Sequence, residues 1–421
     1  MTEFRALAEA QRLGRLLASW TSRHLYGAPH AEVHMAQNLQ TDVVVVGAGA
    51  IGASSAFHLA RGGQRVVVLD TFSGPAQGST GRSFASIRGQ WADPLNIDIS
   101  WRSIQAFRDF PAHHGIDVGY RPTGYLLLAS QRAWAAQLDA IELQRAHGVP
   151  VDVLSFDRAR ELTPFDPTGL GGVTWGPADG VVDPHRVSSA YLELARGHGA
   201  SAQFGHRVVG IEGHDADGSW TVRAAGTSIR TQRIVNAAGG WSGEVAALAG
   251  LDVPVVHSRR NVYSSAPGVI GDRRLPMTVD FTTGVYLRSE GDRVLFGGAR
   301  PDQADGYSTD VDWPWMEALL DLAVTRFPWV GDLGLDRAGC WAGTYENTPD
   351  LHGILGATAA SPTWVNACGF SGHGLMQAPE IGRLVAEQVS DGSITSIDTS
   401  ALRLERFAEV DIASRHVELV F

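Results

Sequence analysis

Gly47, Gly49 and Gly52 make a G-x-G-x-x-G run, a spacing suited to bringing backbone against a diphosphate. The first glycine permits a tight turn, the second lets the chain approach the pyrophosphate, and the third lets a helix pack close to a strand. The free N–H groups at the positive end of that helix dipole then face the anion. Asp70 lies 18 residues after Gly52, where an acid ending a strand can accept hydrogen bonds from ribose hydroxyls. Two further glycine runs, IVNAAGGWS (Ile234–Ser242) and CGFSGHG (Cys368–Gly374), carry small residues that admit a ligand close to the backbone. The second opens a helix, whose N–H groups suit the negative charge that two-electron reduction builds around N1 and the C2 carbonyl of a flavin. Several such loops along one chain suit a large cofactor lying lengthwise. NAD alone would leave the C-terminal runs without a purpose.

The elements that must position these groups follow from local pattern. TDVVVV from Thr41 reads as a short buried strand, then comes the GAGAIG turn, then a helix to Arg61 that Gly62 and Gly63 end. QRVVVLD is a second strand closing at Asp70, which completes a βαβ unit of about 30 residues. After a loop rich in glycine and serine, Ile97, Trp101, Ile104 and Phe107 share one helix face. Residues 115–180 read as strands with a middle helix, Tyr125–Ala129 being the clearest strand. Asp183 caps a helix with Pro184 in its first turn, ending near Gly199. Strands follow around Arg207–Glu212, Trp220–Arg223 and Arg233–Ala237. Residues 250–335 look β-rich with a helix near Trp315–Thr325, and a last long helix runs from about Pro379 to Val389. Residues 1–34 stand apart, with Leu13, Leu16, Leu17 and Trp20 at helical spacing among arginines. They suit an extra helix on the body, or one that docks on a partner subunit or an anionic membrane surface.

Composition excludes several classes. The net charge of −11 argues against a duplex nucleic-acid partner, whose phosphates need a basic face. All 34 basic residues are arginine, so no catalytic lysine is available. Cys340 and Cys368 are too few for a disulfide framework or a cysteine zinc site and read as buried small residues. No H-E-x-x-H pattern supports metal catalysis, and GFSGHG lacks the spacing of a serine elbow. No apolar run reaches the roughly 20 residues of a membrane span, and the N-terminal stretch lacks the core and cleavage site of a signal peptide. A cytoplasmic protein is expected.

With these residues in view, the chain resembles the FAD-dependent amine oxidoreductases related to sarcosine oxidase, glycine oxidase, D-amino-acid oxidase and the proline-dehydrogenase β-type subunits. The resemblance runs from Asp42 to about Val389 and rests on VVVVGAGAIG, GSTGRSFASIR, DGVVDP, IVNAAGGWS, CWAGTYENTPDLHGILG and GFSGHGLMQAPEIGRLVAEQV, in that order. It implies an α/β fold: a Rossmann-like FAD-binding domain of the glutathione-reductase-2 type with an interleaved, mostly antiparallel substrate sheet. The FAD part would comprise residues 41–114, 185–249 and 335–400, and the substrate part 115–184 and 250–334, with a helical extension over 1–40 and a tail over 401–421. FAD would be held by Gly47, Gly49, Ala50, Ile51, Gly52, Asp70, Thr71, Ser79, Gly81, Arg82, Ser83 and Val208, the last through its backbone against adenine. Ala237, Ala238, Gly239, Trp241, Gly343, Gly372, His373, Gly374, Leu375 and Met376 would complete the site.

The chemistry implied is hydride transfer from a carbon beside an unprotonated amine to flavin N5, giving an imine that water hydrolyses. Arg88 matches an arginine that holds the substrate carboxylate, a task for a planar, permanently charged fork. Tyr345 matches a pocket tyrosine, and His373 falls close to the ring. This chain has Gly343 where monomeric sarcosine oxidases carry a flavin-linked cysteine, and Arg82 where dimethylglycine dehydrogenases carry a flavin-linked histidine. FAD is therefore expected to be non-covalent. Met376 and Leu295 replace two family lysines, one a carboxylate holder and the other an activator of oxygen. The expected partners are a small amine or amino acid, O2 or an electron-transfer partner as acceptor, and a partner subunit or second copy. The competing reading is a flavin-binding assembly factor or inactive partner subunit that keeps the fold without turnover.

Overall fold

The computed structural model describes residues 37–213 and 218–409; the expected N-terminal helix and the last part of the expected tail lie outside them. The chain opens with β1 (Gln37–Val46), α1 (Ala50–Arg61), β2 (Val66–Leu69), α2 (Pro94–His114), β3 (Tyr125–Ser130), β4 (Asp152–Leu154) and β5 (Leu170–Gly176). It continues through α3 (Pro184–Gly197), β6 (Ser201–Gln203), β7 (Val208–Glu212), β8 (Trp220–Ala224), β9 (Thr227–Asn236) and β10 (Val256–Ser264). Then come β11 (Met277–Asp280), β12 (Val285–Glu290), β13 (Arg293–Gly298), β14 (Trp341–Asn347), β15 (Ile354–Thr358), β16 (Ser361–Cys368) and α4 (Gly374–Asp391).

Two large sheets carry the architecture. The first runs β15-β16-β9-β1-β2-β6, with β8 and β7 extending from β9. Its β1–β2, β2–β6 and β9–β16 pairs are parallel. The unbroken valine run of β1 is explained by burial on both faces. Val43 and Val45 pack into the cluster formed with α1, α2, α3 and α4, while Val44 and Val46 pack with Trp220, Val222 and Ile229 on the other side. The second sheet runs β14-β10-β13-β12-β11-β3-β5-β4, antiparallel throughout except for the β3–β11 pair. Chain segments alternate between the two sheets, and β14, close in sequence to β15, joins the second through β10.

The cap expected from sequence is in place: Asp183 accepts from the N–H groups of His185 and Arg186 at the start of α3. Asp93, not singled out in the sequence, likewise accepts from Asn96 at the start of α2. Two expectations need correction. Cys368 is buried, but Cys340 is only partly so. The last long helix begins at Gly374, five residues before Pro379, which lies inside it. An internal proline removes one helix hydrogen bond and crowds the preceding turn. Ser103 of α2 brackets this proline: its hydroxyl accepts from the Glu380 N–H and donates to the Gln377 carbonyl, both at 3.2 Å. Among the described residues no helix is long and apolar enough to cross a membrane.

Candidate active site

The glycine turn is shaped by close approach. Gly47 has φ +107°, and a Cβ there would stand 2.3 Å from the Ala237 carbonyl oxygen. A Cβ on Gly52 would stand 2.0 Å from the Gly47 carbonyl oxygen. Both positions therefore exclude any side chain, because turn, helix and the end of β9 touch through backbone. Gly49 is less crowded; its nearest neighbour is the Thr80 hydroxyl, which accepts from the Ala50 N–H at 3.2 Å. Asp70 is half-committed to the same turn. Its two oxygens accept from the N–H groups of Ala48 at 2.6 Å and Phe72 at 2.8 Å, and burial pushes its carboxyl up.

In front of the α1 N-terminus lies a cavity of about 730 Å³, within the roughly 300–1,000 Å³ of ligand clefts. Of the residues expected to hold a cofactor, Gly47, Gly49, Ala50, Ile51, Asp70, Thr71, Ser79, Val208, Ala237, Ala238, Gly239 and Trp241 line it. The lining suits an elongated diphosphate ligand: the glycine turn lies beside apolar Val208, Val209 and Leu248 in one cavity. A smaller cavity of about 70 Å³ shares Ile51, Ser79, Thr80 and Glu346 with it. Arg82, Ser83, Gly343, Tyr345, Gly372, Gly374 and Leu375 line this second space.

Gly52, Gly81, Met376, Arg88 and His373 line neither cavity. Gly81 is structural, since a Cβ would stand 2.1 Å from the Ala76 carbonyl oxygen. Arg88 is only 2% exposed; its guanidinium lies 4.2 Å from the Trp91 ring centroid and 5.9 Å from that of Tyr125. The His373 ring meets Trp91 edge-on at 4.4 Å. Burial first, and then the Arg88 charge, hold His373 well below the usual histidine range, so its imidazole is neutral.

Gly343 and Arg82 are pressed together: a Cβ at 343 would stand 2.7 Å from Arg82 Cβ. The two segments are further joined by the Trp341 Nε1–H bond to the Arg82 carbonyl at 2.9 Å. Sequence reasoning missed Thr80, Glu346, Arg260 and Tyr286, which also line these cavities. Thr80 and Glu346 stood inside motifs already singled out, GSTGR and WAGTYE. Arg260 and Tyr286 come from strands of the second sheet that carry no motif, so only pairing brings them here.

Residues 42–388 match the family described as FAD dependent oxidoreductase (DAO). FAD-dependent oxidoreductase domain-containing protein 1 of Xenopus laevis is 30% identical over 423 residues, covering 87% of this chain and 83% of that relative. The mitochondrial sarcosine dehydrogenase of Mus musculus is 27% identical over 83% of this chain, which spans only 40% of that longer protein. The crystal structure of L-proline dehydrogenase from P. horikoshii aligns with a TM-score of 0.81 at 27% identity, covering 88% of this chain and 99% of that one. The chain belongs to the DAO family of FAD-dependent oxidoreductases.

Proposed function

We propose that the protein binds FAD non-covalently and oxidises a C–N bond of a small amine or amino acid, a secondary or N-methyl amine in particular, to an imine that water hydrolyses. One observation carries this reading: Arg88 is buried against the Trp91 and Tyr125 rings with its Nε unpartnered among the described residues, a cation suited to the carboxylate of an amine substrate. Bound FAD supplies the two-electron hydride acceptor. The chain's own groups bind, orient and keep charge in order. Arg88, fixed against Trp91, offers a rigid cation for the substrate carboxylate. Tyr345, beneath the Arg260 guanidinium at 4.7 Å, shapes the wall of the small cavity. Neutral His373 adds no second positive charge beside Arg88.

Non-covalent attachment is supported by Gly343, where the pressed Arg82 leaves no room for a cysteine. Cys340 is engaged elsewhere: its sulfur accepts from the Ser264 N–H and donates to the Asp336 carbonyl. The electron acceptor is O2 or a partner protein; the positions of the two family lysines hold Met376 and Leu295, both buried.

Anaerobic mixing of the purified protein with a panel of amines and amino acids tests the reading through the visible flavin band. Bleaching by a carboxylate-bearing secondary amine is expected. The Arg88→Ala variant should keep its FAD and need at least about tenfold more substrate for half-bleaching, a loss of about 1.4 kcal/mol. Flavin that no member of the panel bleaches would leave a binding-only protein.

A further inference from the structure

Between residues 250 and 334, which carry β10 to β13, a single side chain among the described residues reaches the large cavity: Tyr307. It comes from the loop that joins β13 to the helix Trp313–Arg326 and is 49% exposed. Its ring rests on an aromatic group, 5.0 Å from the Trp241 ring centroid and 5.2 Å from that of His257, which are 4.5 Å apart. Trp241 in turn meets Phe72 at 5.7 Å, and Phe72, Trp241 and Tyr307 all line the cavity.

The loop is stitched to β10 on both sides of this tyrosine. Before it, the Gly306 N–H donates to the His257 carbonyl at 2.8 Å, and Asp305 bridges to Ser258. After it, the Arg259 guanidinium donates to the Asp310 carbonyl at 3.2 Å and pairs with Asp312 at 2.8 Å, while the Asp312 N–H donates to the Asn261 side chain at 2.9 Å. Gly306 has φ +133°, with no atom within 4 Å of where a Cβ would stand, so conformation and not crowding calls for glycine just before Tyr307. A backbone anchored in this way has little freedom left to lose when a ligand covers the ring.

We propose that Tyr307 is a clamp that retains FAD in the large cavity. The proposal rests on non-covalent FAD lying there, which the glycine turn supports, and is independent of the substrate. The tyrosine ring, backed by Trp241 and His257, packs against the bound cofactor. An aromatic side chain with about half its surface uncovered gains apolar contact from such a ligand. Without a covalent link, that contact acts chiefly on the rate at which FAD leaves.

The test follows FAD release from the purified, FAD-loaded protein through the rise of flavin fluorescence on dilution. Tyr307→Ala should release FAD at least about tenfold faster, and Tyr307→Phe should stay within about twofold of wild type. Far-UV circular dichroism of both loaded variants should match wild type; a changed spectrum would make Tyr307 a folding residue and overturn the clamp. Wild-type release from Tyr307→Ala overturns it too, as does release from Tyr307→Phe as fast as from Tyr307→Ala, since a hydroxyl bond and not ring packing would then be at work. Gly49→Ala reports on the cavity itself. Its added methyl would meet only the Thr80 hydroxyl, at 3.1 Å, yet it narrows the diphosphate turn and should speed release at least about tenfold. No effect of Gly49→Ala removes FAD from this cavity, and the clamp with it. An effect there with none at Tyr307 removes the clamp alone.

Discussion

Glu346 stands where the two cavities meet, and its charge state bears on everything bound there. Burial pushes its carboxyl up to about 7, against the pull of the Gly369 and Phe370 N–H groups. Its neighbours stay neutral through that range: His257, its partner across the β10–β14 pair, is held down by burial, and the Cys368 thiol is pushed up to about 12. Ionised Glu346 faces a cavity that must take a diphosphate, and two negative groups in a low-dielectric site repel. FAD affinity should therefore fall as pH rises through about 7, by up to about tenfold per unit, the limit for one proton. Fluorescence titration of the apoprotein with FAD at about pH 6 and about pH 8.5 reads this, and Glu346→Gln should flatten the profile. An unchanged slope in that variant would remove Glu346 from the cofactor's surroundings.

At the scale of elements, α4 brings Gly374 and Leu375 to the small cavity, and its course depends on α2. Gln377 donates to Asn96 and Ser100, while the Ser103 hydroxyl bridges the Gln377 carbonyl and Glu380 N–H beside Pro379. Ser103 is fully buried, so Ser103→Ala leaves buried backbone groups short of a partner, a cost of about 1–3 kcal/mol. Urea unfolding should show that loss as a lower midpoint with an unchanged slope; a midpoint within error of wild type would mean the proline bend closes by itself. The same bridge explains why a proline placed at the helix start from sequence lies inside it. Proline favours the first turn, and nothing local announces a hydroxyl arriving from a helix far away in sequence.

For the whole molecule, buried titratable groups pull stability in opposite directions with pH. Asp179 and Glu346 are each pushed up to about 7. Their protonated folded forms contribute stability at low pH that is lost as pH rises from their unfolded values toward 7. Buried His58 is pushed down to about 3 and His373 well below its usual value, so their contribution is lost as pH falls below about 6.5. Between about pH 4.5 and 6.5 these two pairs largely cancel. Asp179→Asn removes one falling contribution, and the apoprotein should then gain stability with rising pH by up to about 1.4 kcal/mol per unit relative to wild type. Thermal unfolding of both proteins at about pH 5 and about pH 6.5 measures the difference, and parallel profiles would assign the Asp179 proton elsewhere.

The sequence by itself determined the cofactor half. Gly47, Gly52, Asp70 and the valine strand lie within one short βαβ unit, so local turn geometry and strand burial specify a diphosphate cradle before the rest of the chain is considered. The Asp183 cap was legible for the same reason, as it bonds to N–H groups two and three residues away. Only the tertiary structure decided the second cavity. Arg260 and Tyr286 reach it because β14 pairs with β10 and not with its sequence neighbour β15, and strand pairing over long separations leaves no local signature. It also buried Arg88 and His373 and, among the described residues, left the Arg88 Nε without a partner. Burial and ion pairing depend on which distant segments pack together, and no spacing of residues along the chain records that.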